Sequence, residues 1–212
     1  ATAPYTFSYR INGGPVLTAT TVAGNSVTVP VSTATIGTYT YTLISVQDGS
    51  STACSQAQAG SATVVVNPLP TASIAGTIAV CQNAASPNIT FTGANTVAPY
   101  TFVYTINGGP NQTVTTTVGN SVTVAVPTAV VGTFTYTLVS VQDGTATACS
   151  QAQTGNAVVT VNPLPTGAIS GSKLVCINSA SPDITFTAAS GTAPYTFTYT
   201  INGGAPQVIS TT

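Results

Sequence analysis

Charged residues are almost absent from this chain of 212 residues, and histidine, glutamate, tryptophan and methionine do not occur in it. Its charged residues make up 2% of the sequence, against about 25% in a typical globular protein. They are Arg10, Asp48, Asp143, Lys173 and Asp183. Without a basic patch to neutralise phosphates we expect no nucleic-acid partner. Without histidine or paired carboxylates for acid–base catalysis we expect no enzyme and assign no catalytic residue.

Long apolar runs and metal-ligand clusters are missing as well. No apolar run approaches 18 residues, so we expect no membrane insertion in this segment. Four cysteines with no histidine and no Cys-x2-Cys spacing argue against zinc. Asp48 and Asp143 stand in Gln-Asp-Gly turns, and one aspartate per repeat is too few for a calcium site. We therefore expect no metal and no cofactor.

One stretch, Ala-Pro-Tyr-Thr-Phe-x-Tyr-x-Ile-Asn-Gly-Gly, occurs three times with a spacing of 95 residues, at Ala3–Gly14, Ala98–Gly109 and Ala193–Gly204. Residues 1–70 and 96–165 are identical at 49 of 70 positions, and residues 71–117 and 166–212 at 28 of 47. The repeat predicts three parts. They are a partial repeat at 1–70 (the C-terminal two-thirds), a complete repeat at 71–165 and a partial repeat at 166–212 (the N-terminal half). Since both ends cut through a repeat, we expect the chain to be an excerpt of a longer polypeptide.

Apolar and hydroxyl side chains alternate with the period of a β-strand throughout the repeat, and no stretch has the apolar period of a helix. Seven short strands with regular turns predict an antiparallel β-sandwich of immunoglobulin-like type, so the fold class is all-β in tandem sandwiches. The Asn107-Gly108 pair predicts a tight turn with two positive φ angles. The residues expected to face the core are Ile89, Phe91, Tyr100, Phe102, Tyr104, Ile106, Val122, Val124, Val126, Phe134, Tyr136 and Leu138.

The predicted strands divide between the first partial repeat and the complete one. In residues 1–66 they are Tyr5–Ile11, Asn25–Val31, Thr38–Val46 and Ala62–Val66. In the complete repeat they are Ser73–Ile74, Asn88–Thr92, Tyr100–Ile106, Thr113–Thr117, Ser121–Val126, Thr133–Val141 and Ala157–Val161.

An Asn-Pro-Leu-Pro segment separates consecutive repeats, with Pro68, Leu69 and Pro70 at the first seam and Pro163, Leu164 and Pro165 at the second. Two prolines separated by one residue cannot continue a sheet and favour an extended, stiff connection. The apolar leucine between them has to bury somewhere. We therefore expect both leucines to pack at the junctions and to hold neighbouring repeats of the chain in one fixed relation.

The cysteines follow the same period, with Cys54 and Cys149 in one position of the repeat and Cys81 and Cys176 in another. The favoured pairing is a bridge between Cys81 and Cys149, which would close a span of 68 residues. In the chain-entropy model such a bridge stabilises the repeat by about 4 kcal/mol. The competing pairing joins Cys54 to Cys81 and Cys149 to Cys176 across the seams. Either pairing implies an oxidising, extracellular setting.

These features together resemble a known family. The Asn-Pro-Leu-Pro seams, the Val-Cys near the start of each repeat, the Gly-Thr-Phe-Thr-Tyr-Thr-Leu strand and the late Ala-Cys-Ser resemble tandem repeats of giant cell-surface proteins of Bacteroidota. These repeats are immunoglobulin-like or PKD-like, and the family includes the gliding-motility adhesins. The resemblance implies export by the type IX secretion system and display at the cell surface, and it assigns no catalytic or binding residue.

The leading function hypothesis is structural: a stalk or filament body of a long extracellular adhesin or surface fibre. Its partners would be neighbouring repeats and, in a fibre, identical chains, because few charges protect the strand edges from pairing. The alternative is a repeated module that binds surface glycans, with avidity from the repetition. Aromatic residues in alternate positions could line a sugar site, although their spacing favours a core. An ice-binding surface of threonines is a weaker alternative.

Overall fold

The computed structural model describes residues 2–212, which form β-strands and loops and, within this range, no helix. In chain order the strands are β1 (Thr6–Ile11), β2 (Leu17–Thr20), β3 (Gly37–Gln47), β4 (Ser55–Ala57), β5 (Ser61–Val66), β6 (Thr71–Ala75), β7 (Ile78–Cys81), β8 (Asn88–Ala94), β9 (Thr101–Ile106), β10 (Gln112–Thr115), β11 (Ser121–Ala125), β12 (Gly132–Gln142), β13 (Ser150–Ala152), β14 (Asn156–Asn162), β15 (Thr166–Ser170), β16 (Thr185–Ala189), β17 (Thr196–Tyr199) and β18 (Gln207–Ser210). The all-β prediction is confirmed.

The chain divides into two compact units, Ala1–Leu69 and Pro70–Thr212. The second unit contains the segment 71–165, which the sequence marks as a complete repeat. The predicted boundary between residues 165 and 166 lies inside this unit and stays a prediction.

The segment 71–165 builds two sheets. The larger has the strand order β10-β9-β12-β14-β7, with β13 paired to β12, and the smaller has the order β11-β8-β6. All neighbours are antiparallel except β14 and β7, which run parallel. The strands β6 and β7 follow one another in the chain but belong to different sheets. The segment between them therefore carries the chain from one sheet to the other.

The two sheets share one hydrophobic core, to which both contribute their inward side chains. Phe91 of the smaller sheet packs against Phe102 and Tyr104 of the larger one, with ring centroids 5.6 and 5.0 Å apart. Eight of the twelve residues predicted to face inward are buried, and Ile106, Val122, Val124 and Phe134 are partly buried against them. The alternation of apolar and hydroxyl residues thus identified the core face of β8, β9, β11 and β12 correctly, whereas the buried Ala157, Val159 and Val161 of β14 were not predicted.

The structure contains strands that the alternation did not reveal. The strands β7 and β13 were not predicted, and β7 follows a bend at Gly76, whose φ is +123°. A Cβ atom on Gly76 would lie 2.5 Å from the carbonyl oxygen of Asn88, so the close approach of the two chain segments requires glycine here. Short strands at a sheet edge bury too few side chains to leave a period-2 signal.

The Asn-Gly turn after β9 has the predicted conformation. Asn107 and Gly108 have φ angles of +51° and +69°, and the Gly109 amide donates to the Ile106 carbonyl at 2.9 Å. The Asn107 side chain also accepts a hydrogen bond from the amide of Thr135 at 2.7 Å. Asparagine therefore serves two purposes here, since it tolerates the left-handed conformation and ties the turn to β12.

The first unit, described from residue 2, consists of one sheet with the order β2-β1-β3-β4, and β5 pairs with β3. The predicted strand Asn25–Val31 is wrong, because these residues form no strand. The matching strand 95 residues later, β11, pairs with β8. Within residues 2–69 no strand corresponds to β8, so the segment has no backbone partner.

The residues after the second seam form two separate pairs of antiparallel strands, β15 with β16 and β17 with β18. Their sequence matches β6, β8, β9 and β10 of the complete segment. Phe186 of β16 packs against Phe197 and Tyr199 of β17, with ring centroids 5.5 and 5.0 Å apart. The aromatic contacts of the complete core therefore recur here.

Candidate functional site

Cys81 lies at the end of strand β7, in register with Asn162, the residue that precedes the second proline pair. The amide of the next residue, Gln82, donates to the carbonyl of Asn162 at 2.8 Å. This places Cys81 at the edge of the larger sheet, where β14 ends. Its side chain is exposed.

Cys149 lies in the loop between β12 and β13, beyond the opposite end of β12. Its carbonyl accepts a hydrogen bond from the amide of Asp143 at 3.0 Å, and its sulfur lies 3.4 Å from the Thr147 hydroxyl. Cys54 has the matching environment in the first unit, with Thr52 at 3.3 Å from its sulfur. The loop therefore fixes the position of this thiol in both copies.

The predicted bridge between Cys81 and Cys149 is wrong, because both thiols are free, as are those of Cys54 and Cys176. The strand β12 separates the two ends of the sheet and contains 11 residues. At about 3.3 Å per residue this places the two cysteines roughly 30 Å apart. A disulfide requires Cα atoms within about 7 Å of each other. Their separation in the sequence suggested a closed domain, but the sheet topology places them at opposite ends.

The two Gln-Asp-Gly turns have a common hydrogen-bond arrangement. One oxygen of Asp143 accepts bonds from the hydroxyl of Thr145 at 2.7 Å and from its amide at 3.2 Å. Asp48 accepts from the hydroxyl and amide of Ser50 and from the amide of Cys54. The hydroxyl of Ser50 is the main reason that the pKa of Asp48 is lowered. Both aspartates thus organise their own loop.

Asp143 is buried, and its second carboxylate oxygen has no hydrogen-bond partner. A metal site requires further ligands around such an oxygen. In residues 2–212 no group of three or more His, Cys, Asp or Glu side chains is placed to hold a metal ion. Asp143 is a loop residue whose other carboxylate oxygen accepts both hydrogen bonds from Thr145.

The seam residues differ in burial. Pro70 is fully buried and is the first residue of the second unit, whereas Pro68, Pro163 and Pro165 are exposed. The side chain of Leu69 is 51% exposed and that of Leu164 is 46% exposed. Whether the two leucines fix the relation between repeats stays a prediction. No sequence pattern predicted that Pro70, and not Leu69, is the buried residue of the first seam.

In the complete segment, the aromatic residues that could have formed a sugar site lie inside the core instead. Phe102 is 0%, Tyr100 2% and Tyr104 5% exposed. The hydroxyl of Tyr104 donates to the side-chain oxygen of Gln112 on the neighbouring strand at 3.2 Å. Burial of these rings leaves none of the three on a surface where a ligand would stack.

Two open pockets were not predicted, a mainly apolar one in the first unit and one of mixed polarity after the second seam. The first, of about 440 Å³, lies on the sheet of the first unit; its lining includes Phe7, Tyr9, Val27, Val29, Tyr41 and Leu43. The second, of about 690 Å³, follows the second seam; its lining includes Pro165, Gly167, Ala188, Pro194, Tyr195 and Phe197. The matches of Phe7, Tyr9, Tyr41 and Leu43 in the complete segment, Phe102, Tyr104, Tyr136 and Leu138, are core residues.

No helix in residues 2–212 has the length and apolar character needed to cross a membrane. No protein-family model matches the chain, and no curated protein matches it. Among solved structures, the chain is similar to a crystal structure of a tetra-tandem repeat in the extending region of a large adhesion protein. The identity is 22%, the TM-score is 0.32, and the match covers 99% of this chain and 56% of the other. The chain thus spans about half the length of that structure.

Proposed function

We propose that this chain is a structural repeat region, the stalk or filament body of a long extracellular bacterial adhesin or surface fibre. In this proposal each repeat is a rigid spacer, and the chain carries no catalytic residue. Adhesion belongs to other parts of the assembly. The resemblance to repeats of Bacteroidota surface adhesins supports export by type IX secretion and display at the cell surface.

The observation that carries the proposal is the use of the aromatic side chains in the segment 71–165. Three of these side chains pack the two sheets together: Phe91, Phe102 and Tyr104. Each is at most 5% exposed. A glycan site needs aromatic faces or convergent polar groups that are accessible to the sugar. A repeat that places these rings in its core is suited to a mechanical role.

The sheet topology supports an immunoglobulin-like repeat. The first strand of the segment, β6, pairs in the smaller sheet, and the chain then crosses to the larger sheet, where β7 runs parallel to the last strand, β14. Two facing sheets with otherwise antiparallel strands and one shared core are the architecture of immunoglobulin-like sandwiches. Repetition of this sandwich every 95 residues would build a rod.

The surface chemistry also supports a spacer role in an extracellular setting. With 2% charged residues, the outward faces of the strands present mainly hydroxyl groups, as in the Thr101–Thr115 pair with oxygens 2.9 Å apart. Contacts of such a surface depend little on ionic strength, because salt screens charges and not hydroxyls. A fibre of this kind would keep its properties over a wide range of salt.

Immunogold electron microscopy of the bacterium that bears the protein tests the proposal. Antibodies raised against residues 71–165 should label extended surface fibres at many points along their length. Label confined to the cell body or to fibre tips would contradict the proposal. A glycan array probed with the 212-residue chain provides the second arm. Binding of this chain to a glycan on the array would favour the glycan-binding alternative.

A further inference from the structure

Each repeat contains one Asn-Gly pair, a dipeptide that is chemically labile in a flexible chain. The three pairs, Asn12-Gly13, Asn107-Gly108 and Asn202-Gly203, occupy the same position of the repeat and each follows an isoleucine. In such a pair the glycine nitrogen attacks Cγ of the asparagine side chain. Ammonia leaves, a succinimide ring forms, and water opens the ring to aspartate or isoaspartate. Glycine has no side chain that hinders the attack, so each turn carries a site of spontaneous deamidation.

The neighbouring long strand holds the asparagine side chain in two of the repeats. The side-chain oxygen of Asn107 accepts a hydrogen bond from the amide of Thr135 on β12 at 2.7 Å. The side-chain oxygen of Asn12 accepts from the amide of Thr40 on β3 at 2.8 Å, and its NH2 group donates to the carbonyl of Thr38 at 3.0 Å. We call this set of bonds between the asparagine side chain and the long strand the asparagine clamp.

The clamp opposes deamidation for a geometric reason. Attack requires the asparagine side chain to turn back over its own peptide until Cγ lies about 3–3.5 Å from the glycine nitrogen. The clamp directs the same side chain across the sheet toward β12 or β3. Turning it back breaks the bond to the strand and leaves a strand amide such as that of Thr135 without its partner. In an unfolded chain the side chain turns freely.

We propose that the asparagine clamp protects the Asn-Gly turn from deamidation in the folded repeat. Deamidation is then limited to the openings in which the turn separates from the long strand. The clamp recurs with the repeat, because the bond from the strand amide has nearly the same length at Asn12 and at Asn107. This inference goes beyond the proposed function and does not depend on it.

Deamidation would disturb the sheet at the turn. Aspartate at position 12 would place a carboxylate oxygen where the NH2 group now donates to the carbonyl of Thr38, and two acceptors repel each other. Isoaspartate would lengthen the backbone of the turn by one carbon atom. Because the turn sets the register of the two strands that it joins, β1 and β2 would no longer pair as they do. Protection of the amide therefore preserves the hairpin.

Asn202 is a matched control within the same chain. Its turn has the same backbone conformation, with φ angles of +49° and +73° at Asn202 and Gly203 against +51° and +69° at Asn107 and Gly108. The counterpart of Thr135 would follow the last residue of this chain, so within residues 2–212 no strand clamps Asn202. The third turn thus separates the effect of the clamp from the effect of the turn conformation.

Incubation of the 212-residue chain at mildly alkaline pH, followed by peptide mapping with mass spectrometry, tests the proposal. In the folded chain, Asn12 and Asn107 should deamidate at least about tenfold more slowly than Asn202. In guanidinium chloride, which unfolds the chain, the three should deamidate at similar rates. Equal rates at Asn107 and Asn202 in the folded chain would overturn the proposal, because the turn conformation and not the clamp would then control the reaction.

Hydrogen exchange provides a second measurement within the complete segment. The same opening exposes the amide of Thr135 to water and frees the side chain of Asn107. The factor by which folding slows deamidation of Asn107 should therefore match the protection factor of the Thr135 amide. Strong protection of Thr135 together with unslowed deamidation of Asn107 would contradict the proposal. Protection of the amides of β17 and β18 in the same sample verifies that the third hairpin is formed.

A longer chain tests whether the clamp can be restored. Adding a copy of residues 118–165 after Thr212 supplies the third turn with a strand of the β12 type. Deamidation of Asn202 should then slow to the rate of Asn107, whereas the rates at Asn12 and Asn107 should stay as they were. Unchanged fast deamidation of Asn202 in the longer chain would show that the long strand does not protect the turn.

Discussion

Cys81 and Cys149 lie at opposite ends of strand β12 in the complete segment, one beside Asn162 and the other beside Asp143. The two ends of the sheet therefore each carry one exposed or half-exposed thiol. Because the folded sheet keeps them roughly 30 Å apart, neither can bond to the other in the native segment. Any disulfide made by the folded segment would have to join it to a thiol outside it.

The first prediction concerns these thiols. Non-reducing peptide mapping of the folded chain should show no peptide in which Cys81 is joined to Cys149. Cys81→Ser and Cys149→Ser should each change the free energy of unfolding by less than about 0.5 kcal/mol, because Cys81 is exposed and Cys149 is half-exposed. A native bridge would instead contribute about 4 kcal/mol. A stability loss of that size, seen only under oxidising conditions, would contradict the prediction.

The second prediction separates the two prolines of the first seam. Pro70→Ala should lower the free energy of unfolding of the second unit by about 1–2 kcal/mol, because it removes a fully buried ring. Pro68→Ala should have an effect below about 0.5 kcal/mol, because Pro68 is exposed. Both changes relax the unfolded chain equally, so the exposed proline is a matched control. Urea unfolding measures both, and equal effects would be inconsistent with selective burial of Pro70.

The third prediction concerns alkaline pH. Burial raises the pKa of Tyr104 and, together with the neighbouring Tyr104, that of Tyr136. A raised pKa means that the folded state favours the neutral phenol. Its contribution to stability is present below the unfolded pKa of about 10 and is lost as the pH rises through the higher folded value. The free energy of unfolding should therefore fall with increasing pH above about 10.

Two variants check the origin of this fall. Tyr136→Phe removes one of the titrating groups and should make the decline between pH 10 and pH 11.5 shallower. Phe102→Leu lowers stability by disturbing the same core but changes no titrating group, so its decline should parallel that of the parent. Identical slopes for Tyr136→Phe and the parent would show that another group governs the alkaline behaviour.

Local patterns predicted most of the strands of residues 1–165 and, for β8, β9, β11 and β12, the side that faces the core. Tyr100, directly before β9, and Phe102 and Tyr104 within it alternate with Thr101 and Val103, and the structure buries the three rings. The cause is that a strand in a two-sheet structure has one face toward the core and one toward solvent. Successive side chains point to opposite faces, so apolar and polar residues alternate along the sequence.

The failures arose where a segment depends on a distant partner. Asn25–Val31 has the same alternation as β11 but forms no strand, since backbone pairing requires a neighbour and residues 2–69 supply none. The strand β7 was missed for the opposite reason: its pairing with β14 outweighs a weak local pattern. Strand formation in these segments depends on the sheet and not on the segment itself.

The amino-acid sequence by itself determined the all-β class, the inward face of the strands and the Asn-Gly turns. These depend on the period of side chains along a strand and on the φ angles that asparagine and glycine tolerate. Only the tertiary structure decided that Cys81 and Cys149 lie apart, that Pro70 is buried, and that the face around Tyr9 and Tyr41 is open. These depend on which strands neighbour each other across a sheet, a relation between residues far apart in the chain that no local pattern encodes.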